Sequence, residues 1–375
     1  MENKFPKTIT FNGENLLKIK ADIDKNSSLA QNLKKKADAL IGARAYNVVA
    51  RKLKALSGDP HDYMSMGPYW WPNPNTENGL PYIRRDGEIN PETRMEDNYT
   101  AMAERVFNLA LAAFFFEDKK YGEQAEEFLK VWHLNEDTYM NPHLEYGQSI
   151  PGICTGRGIG LIDTSQSFRV FDAVAILEYM GYITSETVQG LKEWYNKFVN
   201  WMLTSEKGID EDYAHNNHGA WFDVQIAAAA LFTGRTSLAT KTLNVAYDRR
   251  IKAHIQEDGS QPAELARTKG MHYSFYNLKA LLLLASMADK VKRRVDYWGD
   301  TEAGPALLRR AIDFLYPYAC DLSTFPYQEI SNSVPNSSMA EALMYAEARY
   351  AGNGYAEKAE KFADDGMLWR LYPRV

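Results

Sequence analysis

Helical periodicity of apolar side chains is the dominant signal of this chain and repeats from end to end, while convincing alternating strands are scarce. A 3.6-residue period commits a chain to packed helices, because each helix hides one apolar stripe and needs another helix to hide it against. In TSETVQGLKEWYNKFVNWML, Leu191, Trp194, Tyr195, Phe198 and Met202 form such a stripe. Thr184 or Ser185 caps that helix, and Glu186 lies in its first turn, where the dipole favours an acid. In DTSQSFRVFDAVAILEYMG, Val170, Val174 and Leu177 repeat at helical spacing, and Gly181 marks the end. The same reading predicts helices over 29–56, 99–116, 122–133, 218–232, 237–256, 272–289, 303–318, 338–351 and 354–364.

Most connections are short, as antiparallel helical hairpins require. Two are long: residues 57–98, with SMGPYWWPNPNTENGLPYIRRDGEINPETR, and residues 141–164, NPHLEYGQSIPGICTGRGIGLIDT. Long structured loops on a regular scaffold often carry function. No composition break or low-complexity linker divides the chain, so one domain over 1–375 is expected. Hairpins without a repeating sequence period argue against a solenoid. The expected fold is all-α: an (α/α) toroid, an incomplete barrel of antiparallel helical hairpins with long functional loops.

Composition narrows the function. A net charge of −6 gives no basic field for nucleic acid, so an anionic ligand must be met by locally placed arginines. Aromatics make up 13% of the chain, including 8 Trp and 23 Tyr, a supply that serves a core or stacks on sugar faces. The two cysteines, Cys154 and Cys320, make no disulfide framework; two separate buried thiols are expected, with a single bridge between them as the alternative. No apolar run approaches the ~18 residues of a membrane span. The opening MENKFPKTITFNGENLLKIK lacks the apolar core of a secretory leader, which leaves a cytoplasmic protein or one whose leader was removed.

The densest polar cluster is YAHNNHGAWFDVQ, residues 213–225, at the mouth of an apolar helix. Asn217 fits the N-cap of a helix from about His218 to Phe232, with Gly234 beyond its end. Asn217 and His218 would then sit where backbone N–H groups and the dipole favour an anion. HNNH matches no standard zinc motif and lacks a third ligand pattern, so no metal and no cofactor is expected. Plain capping with packed histidines is the competing reading. Downstream, QPAELARTKGMHYSFYNLKALLLLASMA carries Phe275, Leu278, Leu282 and Ala285 as a buried face, preceded by Arg267, Lys269, His272 and Tyr273.

NNHGAW at 216–221, taken with ELARTKGMHYSFYNL at 264–278, resembles the alginate lyase superfamily of polysaccharide lyases. SMGPYWWPNP, NPETRMEDNY and NPHLEYGQSIPGICTGRGIG also resemble segments of its bacterial members, so the likeness runs from about residue 60 to 350. Family 38, the alginate and glucuronan lyases, is the nearer match and family 5 the more distant. Gly219 departs from the family 5 pattern after NNH, and the Arg-to-Tyr spacing is one residue shorter.

The resemblance implies β-elimination on a uronic-acid polymer, alginate first and glucuronan next, leaving 4,5-unsaturated ends. The C5 proton is weakly acidic while the neighbouring carboxylate is charged, so the site must neutralise that carboxylate and the developing enolate-like charge. Asn217 and His218 suit this role. Tyr273 serves as base and acid when proton and leaving group share a face of the sugar, with Arg267 or Lys269 as the assisting cation. For the opposite stereochemistry His218 is the base and Tyr273 the acid. Tyr69, Trp70 and Trp71 would stack on sugars, and Arg94, Arg157 and Arg169 would meet carboxylates. Tyr146, Gln148, Lys269 and His272 complete the substrate-binding set, against ordinary loop packing as the alternative. A periplasmic or secreted setting follows from the likeness. A glycoside hydrolase would need two carboxylates among residues such as Asp163, Asp223, Glu264 and Glu329. A non-catalytic glycan-binding protein would explain the aromatics but not the convergence of Asn, His, Arg and Tyr.

Overall fold

The computed structural model describes residues 4–300, 304–364 and 366–372. The chain opens with α1 (Gly13–Asp22) and α2 (Ser28–Asp38). Its contacts divide it into two compact units, Met1–Lys7 with Leu33–Tyr213, and Thr8–Asn32 with Ala214–Val375.

The first unit is built on α3 (Tyr99–Phe116), α4 (Lys119–His133), α5 (Ser167–Met180), α6 (Ser185–Thr204) and α7 (Glu206–Asp212). Helix α3 is apolar nearly all round and packs against both α4 and α5, while α6 packs on α4. The predicted stripe of α6 is buried throughout, Thr184 caps its first turn, and Gly181 ends α5 in the left-handed region at φ 68°. His133 lies buried between the Leu129 carbonyl and the Tyr195 hydroxyl, both at 3.0 Å, and burial pulls its pKa down to about 3. The long loops form two small sheets. β1 (Met64–Met66) pairs in parallel with β4 (Tyr146–Ser149), and β2 (Trp70–Trp71) pairs antiparallel with β3 (Ile83–Arg84).

The second unit contains α8 (Asn217–Phe232), α9 (Thr236–Ala246), α10 (Pro262–Leu265), α11 (Gly270–Ala288), α12 (Leu307–Cys320), α13 (Asn336–Arg349) and α14 (Tyr355–Glu360). Helices α8 and α11 are both buried over most of their length and pack on each other. Ala227 to Ala230 leave the backbones room to approach, and Trp221 meets Tyr276 at 5.0 Å between ring centroids. Beyond α9 the hydrogen-bond ladder widens into a π-helical turn over Tyr247–Lys252.

Four expectations need correction. The helix predicted over 29–56 ends at Asp38: Gly42 turns left-handed at φ 70°, and Arg51 leaves the local pattern to bond the Met64 carbonyl at 2.7 Å and cover the Tyr63 ring. The N-cap of α8 is Asn216, whose side chain accepts the His218 N–H, so Asn217 is the first helical residue. Both thiols are free, but neither is buried: Cys154 is half-buried and Cys320 exposed. The helix expected over 303–318 begins at Leu307, and its residue 303 lies outside the described residues. Among the described residues no helix is long and apolar enough to cross a membrane.

Candidate active site

Two helix entrances of the second unit carry the catalytic candidates. Asn217 and His218 open α8, and Tyr273 lies in the first turn of α11, after Lys269 as the capping residue. Between them in sequence, α10 ends just before Arg267, whose guanidinium carbon lies 3.8 Å from the centroid of the Tyr273 ring. A cation stacked on the ring is placed to stabilise negative charge on the phenol. The cationic partner of Tyr273 is therefore Arg267.

Glu264 grips the first residue of α8. Its Oε1 accepts the Asn217 backbone N–H at 2.6 Å and its Oε2 accepts the Asn217 Nδ2 at 2.8 Å. The protein's own carboxylate thus occupies the start of α8, where an incoming anion was expected to bind. Burial pushes the Glu264 carboxyl above the usual carboxylate range, while the Asn217 bonds and the charges of Arg267 and His218 pull the other way.

The approach to α8 is fixed from its far side. Asp223, fully buried one turn and a half into the helix, pairs with both Arg249 and Arg250 of the π-helical turn. Arg250 also donates from Nη1 to the Ala214 carbonyl at 2.8 Å, pinning the loop that leads to His215 and Asn217. A side chain at 219 would run into both that carbonyl and the Arg250 guanidinium, which explains why glycine follows NNH here. Behind the site a polar chain runs from Gln261 through Asn277 to His254, and burial lowers His254 to about 4. Among the described residues no group of three or more His, Cys, Asp or Glu could hold a metal ion.

His272 and Lys269 point to different roles. His272 contacts Glu329 through Nδ1 at 3.1 Å and through its backbone N–H at 3.2 Å. Lys269 forms a backbone bridge to the same Glu329, so this pair fastens the start of α11.

In the first unit the structure gathers Trp70, Tyr146, Gln148 and Arg157. Arg157 donates to the Gln148 carbonyl at 3.1 Å and to its Oε1 at 2.9 Å, and lies 5.9 Å over the Trp70 ring. Gln148 adopts φ 50°, a strained backbone for a side chain of its kind, held by Ser65 Oγ at 2.7 Å and by Asp163. Tyr146 pairs with Met64 in the β1–β4 ladder. Trp71 donates to the Glu88 carbonyl at 3.0 Å beneath Arg85, and the Tyr69 carbonyl accepts the Arg85 N–H at 2.8 Å. Arg94 is exposed at the end of a 3-10 turn (Pro91–Thr93), apart from this group in its contacts. Arg169 bonds Gln166 at 3.1 Å and lies over Phe107 and Phe168.

Sequence reasoning did not single out Glu264 as a partner of Asn217, nor Arg250. Forty-seven residues separate Glu264 from Asn217, and nothing in ELARTKG marks a residue that grips another segment.

The alginate lyase family model matches residues 48–325. An alginate lyase from Bacteroides ovatus is 36% identical, with a TM-score of 0.90 over 98% of this chain and 99% of that one. Alginate lyase A1-III from Sphingomonas species A1 is 15% identical with a TM-score of 0.56, over 95% of this chain and 98% of that one. A variant of A1-III solved with a tetrasaccharide is 14% identical with a TM-score of 0.58, over 99% of this chain and 97% of that one. No curated protein sequence matches. The fold class is all-α, the (α/α) toroid of these enzymes.

Proposed function

We infer the roles within this site from one premise: the chain belongs to the alginate lyase family and is a polysaccharide lyase acting on alginate. The polymer is cut by β-elimination. Base and C5 proton meet, the electron pair of the C–H bond becomes the C4–C5 double bond, and the C4–O bond breaks as the leaving oxygen is protonated. No cofactor enters this balance.

Tyr273 is the proton-transfer residue. The observation that carries this reading is the Arg267 guanidinium stacked on the Tyr273 ring, because a phenol needs a cation to act as a base near neutral pH. Tyr273 takes the C5 proton and returns it to the glycosidic oxygen when both lie on one face of the sugar. For the other epimer His218 removes the proton and Tyr273 protonates the leaving group. Through the edge of its amide that Glu264 does not hold, Asn217 faces the uronate carboxylate together with His218, and the two blunt its charge. Trp70, Arg157, Gln148 and Tyr146 are assigned to polymer binding, with Tyr69, Trp71, Arg94 and Arg169 on the same loops or helix. His272 and Lys269 border the catalytic set. The anionic polysaccharide itself is the partner, and since such a polymer does not cross a membrane unaided, a periplasmic or secreted location is proposed. Residues 1–375 are read as one catalytic domain because the Bacteroides relative matches over nearly its whole length.

A hydrolase reading would require two available carboxylates. Glu264 is engaged by Asn217, Asp223 by two arginines, Asp163 by Ser65 and Gln148, and Glu329 by His272.

Tyr273→Phe tests the assignment. The ring and its packing remain, the proton carrier goes, and the variant should fold, bind polymer and yield almost none of the ultraviolet-absorbing unsaturated product. Mere packing would lose about 1 kcal/mol of hydrogen bonding and keep activity. A variant retaining about a tenth of normal turnover, where loss of a general acid–base normally removes ~10²–10⁴-fold, would end this reading.

A further inference from the structure

We propose that Glu264 is a positioning residue for the elimination site: it grips Asn217 by main chain and side chain together and so dictates which edge of that amide is presented to the substrate. The inference rests on the assignment of Asn217 above. An ionised carboxylate accepts hydrogen bonds and donates none, so the amide atom at 2.8 Å from Oε2 has to be the nitrogen. Turned over, the Asn217 Oδ1 would face a carboxylate oxygen with no proton between them. One Nδ2 hydrogen is therefore committed to Glu264, while the second hydrogen and Oδ1 keep fixed directions. Glu264 and Asn217 are each 1% exposed, so water does not compete for these bonds.

The same short segment sets the other half of the site. The Arg267 N–H bonds the Glu264 carbonyl at 3.0 Å, so the residue holding Asn217 stands one turn before the guanidinium that covers Tyr273. A shift of this segment moves both. The charged groups facing Glu264 are Arg267 from its own segment and His218 from α8. Burial works against its ionised form, and a proton on Glu264 would be aimed at one of the two N–H donors, releasing the amide.

The test is Glu264→Gln in the full chain, assayed on alginate across pH. Glutamine has the same size but one acceptor, so the Asn217 amide has to turn round to satisfy it. The expected result is a folded protein with KM within about threefold of normal and kcat down by ~10²-fold, the scale of a small misplacement of a reacting group. The acid limb of kcat against pH should also lose one titrating group. Glu264→Asp, which stays acceptor-only but falls short of one bond, should regain that limb with intermediate kcat, and it carries the test if the glutamine variant does not fold. Either variant with near-normal kcat, or with its whole loss in KM, overturns the proposal. A wild-type protein that gives no unsaturated product from alginate would instead refute the activity, whatever Glu264 does.

Discussion

Arg267→Ala isolates the electrostatic part of the mechanism. Two unit charges about 4 Å apart near a protein surface interact by about 4 kcal/mol. The guanidinium lies 3.8 Å from the centre of the Tyr273 ring, and the phenol oxygen lies further out along the ring. Both side chains are half-buried, so solvent screens them in part. A reduced figure of ~2–3 kcal/mol follows, which is a loss of about 30- to 150-fold in rate at 1.36 kcal/mol per decade. Arg267 stabilises the phenolate that Tyr273 must be before it can take the C5 proton, in the free and the substrate-bound protein alike, so kcat and kcat/KM should fall together. Arg267→Lys keeps a cation but not the flat guanidinium, and should recover part of the loss. Initial rates of unsaturated product over a range of alginate concentrations measure all three proteins. A loss confined to KM would mean that Arg267 binds a substrate carboxylate, and near-normal rates for the alanine variant would refute the pairing.

Asp223→Ala should destabilise the fold by about 3–5 kcal/mol in denaturant unfolding, because Arg250, only 3% exposed, loses its buried anion. Gly219→Ala, which helix propensity alone would score as a gain of about 1 kcal/mol, should instead destabilise by about 1–3 kcal/mol, since its methyl meets the Ala214 carbonyl and Arg250. Stability should also fall on the acid side. His133 and His254 are held neutral by burial with pKa values of about 3 and about 4, whereas unfolded histidines titrate near 6.5. The unfolded chain therefore takes up more protons below pH 6.5, and the two together should remove roughly 5 kcal/mol by pH 4.5, readable from urea unfolding at stepped pH.

The helices legible in the sequence were those whose stripe and ends agreed. In α6, Thr184, Glu186 and the five apolar residues all point to one element, and the structure keeps each of them. Residues 39–56 carry similar periodicity but are claimed by distant partners: Gly42 donates to the Gln124 side chain at 2.8 Å, and Arg51 reaches Met64. Such claims leave no local trace. The segment alone left Arg267 and Lys269 as candidate cations for Tyr273, and the fold puts Arg267 over the ring. The choice between Asn216 and Asn217 as cap was not, since adjacent asparagines are equivalent until a carboxylate from elsewhere takes one of them.

The π-helical turn at Tyr247–Lys252 has a consequence for how this chain tolerates change in length. In a regular α-helix neighbouring residues diverge by about 100° around the axis, too far for consecutive arginines to serve one carboxylate side by side. The wider turn lets Arg249 and Arg250 both reach Asp223. A π turn holds one residue more than the α-helix around it, so removing a single residue there would restore a regular helix and leave the turns on either side in place. The loss would be local: one of the two arginines would no longer reach Asp223, and with Arg250 displaced the Ala214 carbonyl would lose its donor. The segment is locally the worse helix, and what it gains is a second arginine on one buried carboxylate. A deletion that any propensity scale would approve should therefore weaken the hold on Asp223 and on the loop that leads to Asn217.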